Sequence, residues 1–388
     1  MARRAALRTS TAIAYRVTIQ VDSWLILALA GVRGPQADHL LQAFGTADGI
    51  CAASAHDLTG IGISRNSAAR IRAPDGSALR RCTAWLEREG HSILRWDDPR
   101  YPGLLREVSD APSLLFVRGD PEALSLPQLA IVGSRNATAS GVDNARRFAA
   151  HLARSGFCIT SGLAQGVDAA AHRGALQVDG RTVAVLGNGP DRVYPAQHAQ
   201  LARDIAGHGA LATEFPPGTP PRREHFPQRN RIISGLALGT LVVEAGIRSG
   251  ALITARQAGE QGREVFAIPG SIHNPLTKGC HQLIRSGATL VETADDIVAE
   301  LSGMLSSIAA TVEQNEAGQA RPGRPGLDPQ YEELLEVMGW DPISIDTLVT
   351  RSGLTTDEVS SMLLILELQG LVAPLAGGLY QQREKGRL

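Results

Sequence analysis

From Leu129 to Leu301 the chain repeats one unit: a short apolar run, usually a glycine-bearing turn, then a segment of helix length. The runs are LAIVGSR, FCITSG, RTVAVLGNG, ALATEF, GTLVVEAG, REVFAIPG and ATLVET. Runs this short and this continuously apolar suit strands covered on both faces. Their alternation with helices points to a parallel sheet, because parallel neighbours need a crossover between them. The intervening segments predict helices over 140–155, 168–177, 198–208, 228–238, 249–262, 281–286 and 294–301. In such a sheet a ligand sits beyond the carboxyl ends of the strands. Gly133, Gly162, Gly187, Gly189, Gly246 and Gly270 all fall at that end.

The flanks differ in pattern. Residues 1–21 read as a tail. Residues 22–92 read as a helical domain of helix-hairpin-helix or SAM-like type, with Gly31-Val32-Arg33-Gly34 and Gly60-Ile61-Gly62-Ile63 as tight turns. Such turns can expose backbone N–H groups to a phosphate, or simply pack helices. Residues 93–302 carry the α/β domain. Residues 303–328 lose periodicity and become rich in Gly, Pro, Ala and Gln, the composition of a linker. Residues 329–388 predict three helices and a hairpin, the order of a winged helix. Its third helix carries Asp357, Glu358 and Glu367 and no basic residue, which favours packing or protein contact over reading duplex DNA.

The chemistry concentrates in 213–261, which the other elements are expected to hold opposite Gly133-Ser134-Arg135. Arg222, Arg223, Arg229 and Arg231 lie within ten residues, with His225 and Phe226 between them. Cations interleaved with a ring suit single-stranded nucleic acid: the arginines hold phosphates and the ring stacks a base. Asn230 is placed to meet a base edge or to cap a helix. Ser249 and Gly250 open a further helix, with Thr254 one turn in. In the first turn Gly133 lets a backbone approach a phosphate, Ser134 and nearby N–H groups donate, and Arg135 supplies a charged fork. Gly162 and Gly187 add bare turns. Glu244 is expected to orient Arg229 or Arg231. Asp168 is expected to cap its helix and His172 to brace a loop.

Several classes are disfavoured. The turn is neither GxGxxG nor a Walker A loop, so no nucleotide cofactor is expected. No catalytic triad, paired carboxylates or metal-ligand cluster converges, so neither catalysis nor a metal is expected. The net charge of -1 gives no global pull toward a polyanion, so any such site must be local. Lysine occurs only at Lys278 and Lys385. Coding bias explains that scarcity, so arginine abundance alone argues nothing. Cys51, Cys82, Cys158 and Cys280 are scattered, which fits a reducing compartment. No apolar run reaches the ~18 residues of a membrane helix. A cytoplasmic protein is expected.

The motifs IVGSR, SGLAQGVDAAAH, VAVLGNGPDRVYP, TEFPPGTPP, FPQRNRIISGL, LVVEAGIRSGALITA, GREVFAIPGS and GCHQLIRSGA resemble, in order, those of the DprA family (DNA processing protein A, or Smf). The resemblance covers roughly residues 95–300 and the three-part layout. It implies an extended Rossmann-like domain that binds single-stranded DNA without a nucleotide cofactor. It further implies protection of incoming strands during natural transformation, loading of the recombinase RecA, and homodimers built through this domain. By motif, Arg135 takes the family's phosphate-binding role and Arg223 stands where members often carry lysine. The chain departs from the family in having Thr213 for a usual Ser and Gln165 for a frequent cation. Two other readings compete. Gly239-Thr240 and Glu244 faintly resemble the PGGxGTxxE motif of LOG-like nucleotide phosphoribohydrolases, although Gly235-Leu236-Ala237-Leu238 breaks its phosphate loop. A duplex-DNA regulator acting through the winged helix is the third.

Overall fold

The computed structural model describes residues 23–302, 329–339, 342–368, 370–375 and 378–383. The expected tail, the expected linker and the hairpin tip Ala376-Gly377 lie outside the described residues. The chain divides into two compact units. One comprises Met1–Ser125 and Val183–Leu236, the other Leu126–Thr182 and Ala237–Leu388. No single cut between a helical and an α/β domain reproduces that division, because the chain leaves the first unit and returns to it.

In the first unit, helices 23–29, Gly34–Phe44, Ala47–Ala52, Ala55–Gly60, Arg65–Arg72 and Gly76–Leu86 precede the strands β1 (His91–Arg95) and β2 (Leu114–Gly119). β5 (Thr182–Val185) and β6 (Ala210–Thr213) complete a sheet edge in the order β1-β2-β6-β5. β5 and β6 are parallel, while β2 pairs antiparallel with both β6 and β1. The helical segment is bound firmly to these strands. Trp96 packs where a side chain on Gly34 would be, and its indole N–H donates to Asp38 at 2.6 Å. Gly34 N–H donates to Ala111 O at 2.8 Å. Trp24, Trp96 and Leu94 are buried. Fixing so many long-range contacts makes the helices part of this unit's core.

The second unit holds β3 (Gln128–Val132), β4 (Cys158–Ser161), β7 (Gly239–Val242), β8 (Glu264–Ala267) and β9 (Thr289–Leu290). Their order is β4-β3-β7-β8-β9, and the pairings β3–β4, β3–β7, β7–β8 and β8–β9 are parallel. The apolar runs therefore form the expected parallel sheet. One face packs Leu129, Ile131, Ile159, Leu241 and Phe266 against Phe148, Leu152, Val167, Ala171 and Ile297. The helices Ala139–Arg154 and Val167–Leu176 approach to backbone contact. A Cβ on Gly174 would lie 2.2 Å from Arg146 O, so only glycine permits the spacing.

The winged helix follows in the same unit. Helices Pro329–Met338, Ile345–Ser352 and Thr356–Leu368 pack with a three-stranded sheet, β10 (Ile343–Ser344), β12 (Leu379–Gln382) and β11 (Val372–Leu375), in that order. Leu334, Leu348, Val359, Leu363 and Leu366 form its own core. Leu364 instead joins the core beneath the parallel sheet. Ser361 donates to Gly156 O at 3.4 Å. Gly156 adopts φ +91°, and a Cβ there would meet Ser360 O at 2.7 Å. The third helix thus packs on this core through Leu364 and Ser361.

Candidate nucleic-acid interface

The turn after β3 is pinned from three directions. Ser134 N–H donates to Glu244 O at 2.7 Å, Val167 N–H donates to Ser134 O at 3.2 Å, and Asn136 N–H donates to Ser134 Oγ at 3.2 Å. A side chain on Gly133 would meet Val167 Cγ2 at 2.6 Å. Gly166, at φ +75°, brings the next loop against Ser134 O, where a Cβ would lie at 2.3 Å. Arg135 stands exposed at the tip of this rigid turn. Ser134 is buried and its amide is occupied, so it shapes the turn and does not donate to a ligand through that group.

Glu244 takes a role the sequence did not indicate. Its carboxylate accepts from Thr138 N–H at 2.9 Å and Thr138 Oγ1 at 2.6 Å, and it lies against Gly141. It orients neither Arg229 nor Arg231. It sits at the positive end of the helix Ala139–Arg154, where the pyrophosphate of a dinucleotide would bind in a Rossmann fold. The chain's own anion fills that place, and the Thr138 and Gly141 N–H groups are already occupied. Nearby, Cys280 is buried and desolvation pushes its thiol up to about 11, which keeps it protonated.

Of the other expected groups in this unit, Gly162 is buried and Asp168 accepts from Ala164 N–H at 3.3 Å. Gly166, not Asp168, caps the helix Val167–Leu176. His172 is fully buried and its Nδ1 pairs with Thr182 Oγ1 at 2.7 Å. Ser249 accepts from Ala251 N–H at 3.3 Å beside the exposed Gly250, the N-cap of the helix Ala251–Glu260. Thr254 is 2% exposed and faces the interior, so it cannot touch a ligand. Among the described residues no cluster of His, Cys, Asp or Glu side chains is arranged to hold a metal. No described helix is long and apolar enough to cross a membrane.

In the first unit the turn after β5 carries an aromatic platform. Phe226 lies on the backbone of Gly187: a Cβ there would be 2.9 Å from its ring. Tyr194 packs on Phe226 with ring centroids 5.6 Å apart and stands 46% exposed. The Asn188 side-chain amide donates to Gly189 O and Arg192 O, which fixes the loop that carries Tyr194. Arg223 is exposed just before the helix His225–Leu236. Tyr194 carries little signal in the sequence, only an aromatic soon after Gly187-Asn188-Gly189.

Two expected phosphate ligands are buried. Arg229 is 4% exposed, donates to Val185 O and lies with its guanidinium 6.0 Å from the Phe226 ring. Arg231 is 4% exposed and pairs with Asp110 at 2.8 Å and Glu214 at 2.6 Å; Glu214 also pairs with Arg33. Buried charges must be paired, and here the pairing is internal. Arg229 positions the ring and Arg231 ties the helix to the strand-end and N-terminal segments. Asn230 is half-buried on the same helix.

Residues 92–302 match the family model described as DNA recombination-mediator protein A, and residues 318–378 match the DprA winged helix domain. Protein Smf of Escherichia coli is 42% identical over 323 residues, covering 83% of this chain and 86% of its own. The X-ray structure of DNA processing protein A from Streptococcus pneumoniae superposes with a TM-score of 0.63 at 37% identity, covering 71% of this chain and 95% of that one. A Helicobacter pylori structure, described for the single-stranded DNA binding mode of DNA processing protein A, gives a TM-score of 0.50 at 26% identity over 56% of this chain and 96% of that one. By sequence and by fold, the chain belongs to the DprA/Smf family of DNA recombination-mediator proteins.

Proposed function

We propose that this protein is a cytoplasmic, non-enzymatic single-stranded DNA binder that protects incoming strands and loads RecA during natural transformation and recombination. The observation that carries the reading is the exposed Arg223 close in sequence to Phe226, whose ring packs with the half-exposed Tyr194 over Gly187. A cation for the backbone and rings for the bases are what a sequence-tolerant single-strand site needs. Arg135, exposed on its pinned turn, supplies a second phosphate contact. The likeness to a Helicobacter pylori protein described by its single-stranded DNA binding mode supports the same ligand. Glu244 on the helix start supports the absence of nucleotide chemistry. The docked third helix supports a packing role for the winged helix and weighs against duplex reading.

Self-association is part of the proposal. Ile247 and Ile253 stand 63% and 40% exposed beside a cleft of about 590 Å³ whose walls include Leu252, Leu283 and Ala288. A second copy covering this apolar surface would remove it from water. The test is fluorescence anisotropy on oligodeoxythymidylate and the matching duplex at two salt concentrations. Single-strand preference, weakened by salt and by Arg135→Ala or Arg223→Ala, supports the reading. Equal binding by both variants and the parent sinks it. RecA loading is checked separately, by the lag before RecA forms filaments on strands precoated with a single-strand-binding protein.

A further inference from the structure

We propose that the outer face of the helix Ala139–Arg154 is a second contact site for the DNA phosphate backbone, reached by strands that extend beyond Arg135. The inference rests on the single-stranded DNA reading above. The helix is amphipathic: Ala145, Phe148, Ala149 and Leu152 are buried at helical spacing. Arg146, Arg147, His151 and Arg154 fall on the opposite side, within about 140° of one another at 100° per residue. With Gln177 from the neighbouring helix end, they surround a cavity of about 320 Å³ floored by Ala150. No carboxylate lines it.

The outer face of an amphipathic helix is ordinarily charged, so charge alone decides nothing. Its balance does. The whole chain is nearly neutral. Here Arg146 and Arg147 share one carboxylate, Asp143, at 2.7 and 3.9 Å. Arg154 has no acidic partner among the described residues and is exposed, and Arg173 stands exposed on the adjoining helix. His151 is held by Asp295 at 2.8 Å. The result is a concave, cationic surface of guanidinium forks, which match phosphate geometry. No Phe, Tyr or Trp lines the cavity, and the one ring there, His151, is held by Asp295, so it offers chiefly backbone contact. That distinguishes it from the Tyr194–Phe226 platform and predicts indifference to base identity.

Position supports the same ligand. The helix starts four residues after Arg135 and belongs to the same unit. At a rise of 1.5 Å per residue, Arg146 lies about 10 Å and Arg154 about 22 Å along it. A strand held at Arg135 must therefore be several nucleotides longer before it reaches the arginines.

The experiment uses the full chain carrying Arg147→Glu with Arg154→Glu, and a second form carrying Arg147→Gln with Arg154→Gln. Anisotropy is read with oligodeoxythymidylates of about 4 and about 40 nucleotides, at the lower limit of one typical site and well beyond it. The short strand should bind both forms like the parent. The long strand should bind about tenfold more weakly to the Glu form, and its log–log salt slope should fall in magnitude by about 1.4 for two lost contacts. The Gln form should show the same sign with a smaller loss, and it decides the matter if the Glu form fails to fold. Unchanged long-strand affinity and slope overturn the proposal. Equal weakening on both lengths also overturns it, because the arginines would then act through overall charge. A parent that binds neither strand removes the single-stranded DNA reading itself.

Discussion

Arg223 and Arg231 lie eight residues apart, and the sequence gives them the same role. The structure separates them, and substitution can read the difference. Arg231 is 4% exposed and bonded to Asp110 and Glu214, the latter also nearly buried. Arg231→Ala leaves Glu214 with Arg33 alone and opens a polar void. Breaking a buried ion pair from one side costs about 3–5 kcal/mol. For a cooperative unit of 150–250 residues, each kcal/mol moves Tm by about 2–4 °C, so the midpoint should fall by roughly 6–20 °C. Arg223 is exposed and carries no such load. Arg223→Ala should leave Tm within about 1 °C, since surface changes stay near ±0.5 kcal/mol. It should instead weaken single-strand binding several-fold and lower the salt slope by about 0.7. Calorimetry and anisotropy on the two variants check this. An Arg231→Ala protein that melts like the parent yet loses DNA would refute the reasoning, as would an Arg223→Ala protein that loses stability and keeps affinity.

Three further outcomes are expected. Tyr194→Ala should weaken oligodeoxythymidylate binding by about 1–3 kcal/mol if it stacks a base, while Tyr194→Phe retains most of the affinity; a Tyr194→Ala protein with parental affinity would show that the exposed ring is idle. Gly156→Val combines a φ of +91° with a Cβ 2.7 Å from Ser360 O, so the third winged-helix helix should lose its seat; faster hydrogen exchange across Thr356–Leu368 than in the parent checks this. Asp98 is held below the usual carboxylate range by the Arg100 guanidinium, which bonds it at 2.9 and 3.1 Å. Its stabilisation is full above the unfolded pKa of about 3.9 and is lost as pH falls through the lower folded value. Asp98→Asn should therefore be less stable than the parent at pH 7, with the gap closing below about pH 4; a gap unchanged down to pH 2 would show that the ion pair contributes nothing.

Much of the architecture was legible because it depends on local pattern. The apolar runs became strands, and the expected helices appear within a few residues of their boundaries, as at Ala139–Arg154 and Val167–Leu176. The glycines at strand ends were legible as turns. Their individual reasons were not: Gly187 is bare because Phe226 lies on it, and Gly133 because Val167 does, contacts of 39 and 34 residues' separation. The winged helix was legible in its order of elements and in the acidity of its third helix, though β10 was missed because Ile343-Ser344 is too short to show alternation.

The sequence by itself determined the element types and the presence of a cation-and-aromatic run, because periodicity and turn chemistry act over a few residues. Only the tertiary structure decided which charges remain available. Arg223, Arg229 and Arg231 are chemically alike, but burial obliges a charge to find an internal partner. Val185, Asp110 and Glu214 supply those partners to Arg229 and Arg231, leaving Arg223 outside. The same rule sets Glu244 on the start of a helix more than a hundred residues earlier in the chain, where no local pattern could have placed it.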